Sequence, residues 1–558
     1  MPLSVTILRL RLSRAIAFLL LALVSDIFVQ ADAQKSGQTN ARTSDQTNVR
    51  PSAQTKPARA PLKSANPETR TAQMLESAKA NPLDLESFLV RMPKGGDLHN
   101  HLSGAIYAES LIRDANEDHL CVDTTSLSFT KPQTPVSDAT EAQIYCGNGA
   151  VPAALANKDQ HLYDSLVDAF SMRGFAPTPG VTAHDHFFGA FDKFSGLSRR
   201  HMGEWLDEVA TRAAAQNEQY IELMDTPPFA HAATIARQMG WEENFAEFRQ
   251  KLLDAGIKDE IRLAKADIDA ADSLRNQREH CGQKDAMPAC RVEIRYIYQV
   301  LRTFPKEQVF AQTLLGFEAA AADSRIIGLN YVQPEDNYTS MTDYATHMQI
   351  LAFMHRMYPN VHIALHAGEL APGLVPYEGL CCHIRLAVEV GQAERIGHGV
   401  DVMHEDRPVD LLKEMAAKHV MVEVNLTSND VILGISGKDD PFPIYRKSGV
   451  PVALSTDDEG VSRIDMTHEF VRAVETYDLR YSDLKQMVRT SMEHAFLPGA
   501  SLWSKPDEFG SAVAECSQET LGTEKPSAKC EAFLSESEKA RQQWELERRF
   551  REFEAENR

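Results

Sequence analysis

From about Met92 onward, apolar positions follow two alternating rhythms. Short β-type runs recur: GGDLHNHL (from Gly95), QYIELMD (Gln219), VEIRYIYQ (Val292), IIGLNYV (Ile326), HIALHAGE (His362), RIGHGV (Arg395), VMVEVNLTSN (Val420) and VPVALSTDD (Val450). Between them, apolar residues return every three or four positions, as in TDYATHMQILAFMHRMY (from Thr342) and VDLLKEMAAKHV (from Val409). That is the period of a helix with one buried face. Eight strand candidates, each followed by helical sequence, predict an α/β fold with parallel strands, most simply an eight-stranded (β/α)8 TIM barrel. An open doubly wound sheet is the alternative, but no Gly-rich phosphate loop opens any unit.

A barrel of this type takes about 250 residues, so much of the 558-residue chain must be insertion or tail. The longest excursion, about 103–217, separates the first two strand candidates. A helical extension follows at about 500–558, ending in a charged amphipathic helix from Ser535. Upstream, an amphipathic helix is expected at LDLESFLVRMPK (from Leu83). Residues 34 to about 70, rich in Gln, Thr, Ser, Lys, Pro and Ala without apolar period, read as a disordered linker. The barrel with its additions would then occupy 71–558.

The first 33 residues change the picture. Arg9, Arg11 and Arg14 precede AIAFLLLALV (Ala15 to Val24), and Ala31-Asp32-Ala33 supplies small residues. This is the pattern of a cleaved signal peptide, 1–33, placing the protein in the periplasm or medium. A short uncleaved anchor is the alternative, although a span needs about 20 apolar residues. Cleavage takes three Arg and two Asp, leaving a charge of −22 against −21 for the whole chain. That balance argues against nucleic acid or an anionic membrane as partner, since both require a basic face.

Export makes disulfides available to the eight cysteines. Proximity suggests Cys121 with Cys146, Cys281 with Cys290, and Cys516 with Cys530, while adjacent Cys381 and Cys382 read as free, buried thiols. Two sequons occur, at Asn337 and Asn425; the second falls at a strand end and should be poorly accessible.

Candidate chemistry gathers where strands end, which is where barrels place their active sites. His99 and His101 end the first strand, His366 and Glu369 the fifth, His398 the sixth, and Asp457 and Asp458 the eighth. Three imidazoles and one carboxylate suffice to hold a single zinc with a site open for water. His-x-His alone is weak: nineteen histidines give roughly one by chance. A second copy stands at His184 and His186, inside the insertion. Its neighbours Phe187, Phe188, Phe191 and Phe194 suggest an aromatic helix that packs first and lines a pocket second.

In order and spacing, MPKGGDLHNHLSGA, LHAGE, RIGHGV, EVNLTSN and STDDEG resemble the adenosine deaminase family, in particular its secreted, growth-factor-related branch. The resemblance runs from about Met92 to Gly460. It implies one zinc per chain, held by His99, His101, His366 and Asp457. It also implies that His398 orients and deprotonates the attacking water, that Glu369 delivers a proton to purine N1, and that Asp458 shares a hydrogen bond at N7. A purine nucleoside is then the small-molecule partner, adenosine or 2′-deoxyadenosine the substrate, and hydroxide generated on zinc the nucleophile at C6. A homodimer is among the assemblies such a chain allows.

Four positions depart from the family pattern. Its D-L-x-G-x-E on strand four reads here with Asn330 and Gln333, so a side-chain amide would replace a glycine's backbone approach to N3. Met224 stands where Arg is common, and Ser103 where an acid often meets the ribose. Adenine or another aminated purine is therefore an alternative substrate. A two-metal barrel hydrolase would carry a lysine at the end of strand four, and IIGLNYVQPED has none. A catalytically inactive extracellular nucleoside-binding protein should lack a ligand or Glu369, and none is missing.

Overall fold

The computed structural model describes residues 66–133 and 145–557. The expected signal peptide and most of the expected linker lie outside them. Eight parallel strands form one sheet in sequential order: β1 (Gly95–His101), β2 (Glu218–Asp225), β3 (Glu293–Leu301), β4 (Ile326–Val332), β5 (His362–Ala367), β6 (Arg395–His398), β7 (Met421–Val424) and β8 (Val452–Leu454). The sheet closes on itself: just past β8, Asp457 bridges Asn100 in parallel. There Asp457 N–H donates to His99 O at 2.8 Å, and His101 N–H donates to Asp457 O at 3.0 Å. Every residue of β1 and β2 is buried, as expected of strands covered by helices outside and side chains inside. The closed barrel is the predicted fold.

Helices such as Lys306–Ala322, Tyr338–Met357 and Tyr481–His494 pack around it. The barrel interior is not wholly apolar. Arg395 on β6 ion-pairs with Glu222 on β2 at 2.5 Å and with Glu423 on β7 at 2.6 Å, all three fully buried. Phe496 stacks beneath the guanidinium at 3.7 Å. A buried ion pair is tolerated only when both charges are satisfied.

Among the described residues between β1 and β2 are four helices of ten residues or more and a three-stranded antiparallel sheet of Cys121–Asp123, Ser128–Thr130 and Ala150–Pro152. A second excursion, Ala230–Met239, Phe245–Asp254 and Asp259–Arg278, separates β2 from β3. At the C-terminus, Glu538–Glu556 lays Trp544, Leu546, Phe550 and Phe553 inward. Arg489–Glu547 (2.6 Å) and Lys485–Glu554 (2.7 Å) tie it to the helix Tyr481–His494. Among the described residues no helix is long and apolar enough to cross a membrane.

Two expectations are corrected. Residues 67–70 are helical, not linker: Pro67–Ala78 is a helix whose Asn66 side chain accepts from Thr69 N–H at 2.8 Å. Asn before Pro is a cap followed by a pre-set first turn, and Thr71, Leu75 and Ala78 bury its inner face. The second concerns the adjacent cysteines, which are bonded to each other and only half-buried. Cys382 takes a left-handed φ of +86° at the start of the helix His383–Glu389, which turns the chain there. The other three pairs are as expected from proximity, and no described cysteine is free.

Candidate metal centre and active site

The strand ends bring His99, His101, His366 and Asp457 into one buried cluster. In β1, residues two apart project to the same side, which aims both imidazoles inward. Each ring is then oriented from behind. His99 Nδ1–H donates to Glu423 at 2.7 Å, and Glu423 is the carboxylate already paired to Arg395. Asn330 Oδ1 accepts both the His366 backbone N–H (3.0 Å) and its Nδ1–H (2.8 Å). With Nδ1 protonated, Nε2 of His99 and of His366 presents a lone pair to the centre.

Those lone pairs test the fit of a cation. His101 Nε2 and His366 Nε2 stand 3.2 Å apart. Asp457 Oδ1 is 3.1 Å from His101 Nε2 and 3.3 Å from His99 Nε2, and His99 Nε2 has no hydrogen-bond partner. Ligands about 2.0–2.1 Å from a tetrahedral zinc lie about 3.4 Å from one another. Facing lone pairs at this spacing repel unless a positive charge sits between them. The four residues fit a single metal ion.

Beside the cluster stand the two candidate proton carriers. His398 Nδ1–H donates to Asn429 Oδ1 at 3.0 Å, and Asn429 is itself oriented by its Nδ2–H donating to Asp440 at 3.0 Å. Its Nε2 is thereby an acceptor, 3.7 Å from Glu369 and 3.8 Å from Asp457 Oδ2. Burial, then the charge of Asp457, pushes Glu369 up to about 8, so its carboxyl holds a proton at neutral pH. His398 and Asp457 both adopt left-handed φ, +66° and +62°. Strain of this kind collects where side chains must be aimed at a site.

Two glycines are needed for this convergence. A Cβ on Gly104 would fall 1.6 Å from Asp458 Oδ1, and one on Gly397 would fall 2.6 Å from His99 Cε1. Asp458 Oδ1 is buried and without a partner.

The cluster opens into a cavity of about 540 Å³, a volume suited to a small organic ligand. Ser103, Gln333, Asp457 and Asp458 line it, as do His366 and Glu369. Gln333 sits at φ +83°, where the family pattern has glycine, but its Oε1 is taken by Thr303 N–H (3.2 Å) and Oγ–H (2.7 Å). Only the NH2 end of the amide is left for a ligand.

The sequence assigns no role to several residues of the site. Glu335 accepts from Gly368 N–H (3.1 Å), Glu369 N–H (2.8 Å) and His383 Nδ1–H (2.6 Å). Arg302 donates to the carbonyls of Gln333 and His366 and lies 3.9 Å from Glu335. The aromatic helix of the insertion, Ala183–Phe194, forms the outer wall. Phe187, Phe188 and Phe191 line the cavity, Phe187 being fully buried as well, while Phe194 is buried away from it, so one helix both packs and lines. His184 is part of that wall and meets Asp336 at 3.2 Å. His186 is not; its ring stacks on Phe175 at 4.5 Å.

Comparison with known proteins matches residues 207–502 to the family model described as adenosine deaminase. The adenosine deaminase of Vibrio atlanticus (strain LGP32) is 31% identical over 221 residues, 38% of this chain and 59% of that protein. That of Clostridium perfringens (strain 13 / Type A) is 33% identical over 135 residues, 24% of this chain and 37% of that protein. The chain thus spans between about a third and three fifths of the length of these relatives. Among solved structures, adenine deaminase from Arthrobacter aurescens aligns at 15% identity with a TM-score of 0.47, covering 73% of this chain and 94% of that one. Arabidopsis ADAL complexed with GMP aligns at 18% identity with a TM-score of 0.48, covering 74% and 94%.

Proposed function

The chain belongs to the adenosine deaminase family, and we propose that it is an exported, zinc-dependent hydrolytic deaminase converting adenosine or 2′-deoxyadenosine to inosine or 2′-deoxyinosine and ammonia. The observation that carries this reading is the convergence of four metal-type donors with the buried carboxyl of Glu369 and an acceptor nitrogen on His398. Zinc, when bound by His99, His101, His366 and Asp457, would make a water acidic enough to act as a nucleophile at neutral pH.

The chain's own groups do the rest. C6 of a purine accepts a nucleophile readily only as N1 is protonated, and Glu369 holds the proton for N1. His398 Nε2, with its other nitrogen committed to Asn429, receives the proton of the attacking water. Asp458, whose Oδ1 is unpartnered at the cavity wall, shares a hydrogen bond with N7. Water adds across C6 and N1; His398 then passes the proton it took to N6, the C6–N6 bond breaks, nitrogen leaves as ammonia, and the C6 hydroxyl proton returns to Glu369 as the carbonyl forms. The basic, apolar and small-residue pattern of residues 1–33 supports export to the periplasm or medium.

Ammonia release from adenosine by zinc-replete protein tests the reading. Turnover that stops with a strong chelator and returns with zinc is expected; adenosine left unchanged would overturn it. A second reading, deamination of adenine or another aminated purine, is favoured by Gln333, whose conformation and bond to Thr303 alter the wall where the family places glycine. A substrate panel separates the two.

A further inference from the structure

The cavity has a sign. Toward its outer end its lining includes the carboxylates Asp185, Asp192 and Asp336, and among the described residues no Lys or Arg lines it. Arg302 lies behind the floor, its guanidinium committed to two carbonyls and the Glu335 carboxylate. Exposure also rises along the cavity. His366, Glu369 and Asp457 are buried, whereas the side chains of His184, Asp336 and Asp185 are 13%, 21% and 60% exposed. The mouth is therefore at the His184–Asp336 side.

A purine placed with C6 beside Glu369 and His398 carries its N9 substituent on the far side of the ring system, toward that mouth. What waits there is a carboxylate held in place. His184 Nε2 lies 3.2 Å from Asp336 Oδ1, linking the insertion helix to the loop after β4. Oδ2 of Asp336 is then available to accept. A sugar hydroxyl can donate to it, but a phosphate dianion has no proton to give and would be repelled by the neighbouring acids. Proteins that take nucleotides supply Arg or Lys at this point.

Resting on the deaminase reading, we propose that Asp336, positioned by His184, is the sugar-hydroxyl acceptor of this site, and that the acidic mouth selects neutral nucleosides against their 5′-monophosphates. The insertion between β1 and β2 is then part of substrate selection.

The test compares adenosine, adenine and AMP on the wild type, Asp336→Asn, Asp336→Lys and His184→Ala. A charged hydrogen bond lost at a specificity site is worth roughly 10-fold or more. Wild type should prefer adenosine to AMP by at least ~100-fold in kcat/KM. Asp336→Asn and His184→Ala should raise KM for adenosine about 10-fold with kcat held, and leave adenine, which has no sugar, unchanged. Asp336→Lys should narrow the adenosine–AMP gap by about 10-fold or more. Equal use of AMP by the wild type, or equal losses on adenosine and adenine in the variants, would overturn the proposal. Should no purine be deaminated, calorimetric binding of inosine against inosine 5′-monophosphate still decides the subsite: preference for inosine that Asp336→Lys reverses sustains it, and indifference to the phosphate removes it.

Discussion

Glu335 accepts the backbone N–H of Glu369 at 2.8 Å and that of Gly368 at 3.1 Å, so one buried carboxylate pins the turn that carries the candidate acid. A misplacement of about 1 Å can cost about 100-fold in rate. Glu335→Gln presents an NH2 where two N–H groups need acceptors. It should lower kcat by about 10- to 100-fold with little change in KM for adenosine. Steady-state kinetics check this; a kcat within twofold of wild type would remove the positioning role.

The same residue predicts acid sensitivity. Burial alone would push Glu335 up, but His383, the Arg302 charge and the Glu369 N–H together hold it at about 2. Its unfolded value is about 4.3. A depressed folded pKa contributes stability that is complete above the unfolded value and lost as pH falls toward the folded one. That contribution is about 3 kcal/mol. Urea midpoints for wild type and Glu335→Gln should converge between about pH 5 and 2.

Arg395 neutralises two acids inside the barrel, Glu222 and Glu423, and Glu423 in turn orients His99. Arg395→Met leaves two buried carboxylates unpaired. A loss of about 3–5 kcal/mol is expected in urea unfolding, because removing one partner of a buried pair strands the other. Metal affinity should weaken as well, since His99 loses the partner that fixes its tautomer.

Elemental analysis should find one zinc per chain. Chelation should lower the melting temperature along with activity, because a ligand bound only by the folded state stabilises it and its loss leaves His101 and His366 facing at 3.2 Å. Glu369→Gln should keep the metal and the fold while losing about 10²- to 10⁴-fold in kcat, the usual contribution of a general acid.

Thiol titration of the denatured, unreduced protein distinguishes the two readings of the adjacent cysteines. None should react if Cys381 and Cys382 are bonded as the structure has them; two reactive thiols per chain would indicate the free pair.

Much of the site was legible because a barrel concentrates chemistry at strand ends. Once eight β-type runs are recognised, HAGE, GHGV and STDD can only end strands, and His366, Glu369, His398, Asp457 and Asp458 fall together. The residues behind them were not legible. Glu423 and Asn429 bound EVNLTSN, and Glu335 and Asn330 stand at the two acid positions of D-L-x-G-x-E, yet nothing local says what any of them holds. Their value comes from hydrogen bonds to residues 31 to 324 positions away. Asn330 stood out only as a departure from D-L-x-G-x-E, though it serves His366 with a neutral oxygen.

The two His-x-His pairs mark the division most clearly. The order of strands and helices, and so the barrel, followed from local apolar period alone, because period two and period 3.6 are written in neighbouring residues. Spacing could not say which pair belonged to the centre. His99 and His101 lie on a strand, where residues two apart share a side, and both reach the cluster. His184 and His186 lie on a helix, where the same spacing turns side chains about 200° apart. One ring therefore meets Asp336 at the cavity mouth, and the other meets the carbonyls of Asp168 and Ser171. Docking of that helix over the barrel depends on contacts distant in the chain, and only tertiary structure makes His184 part of the site.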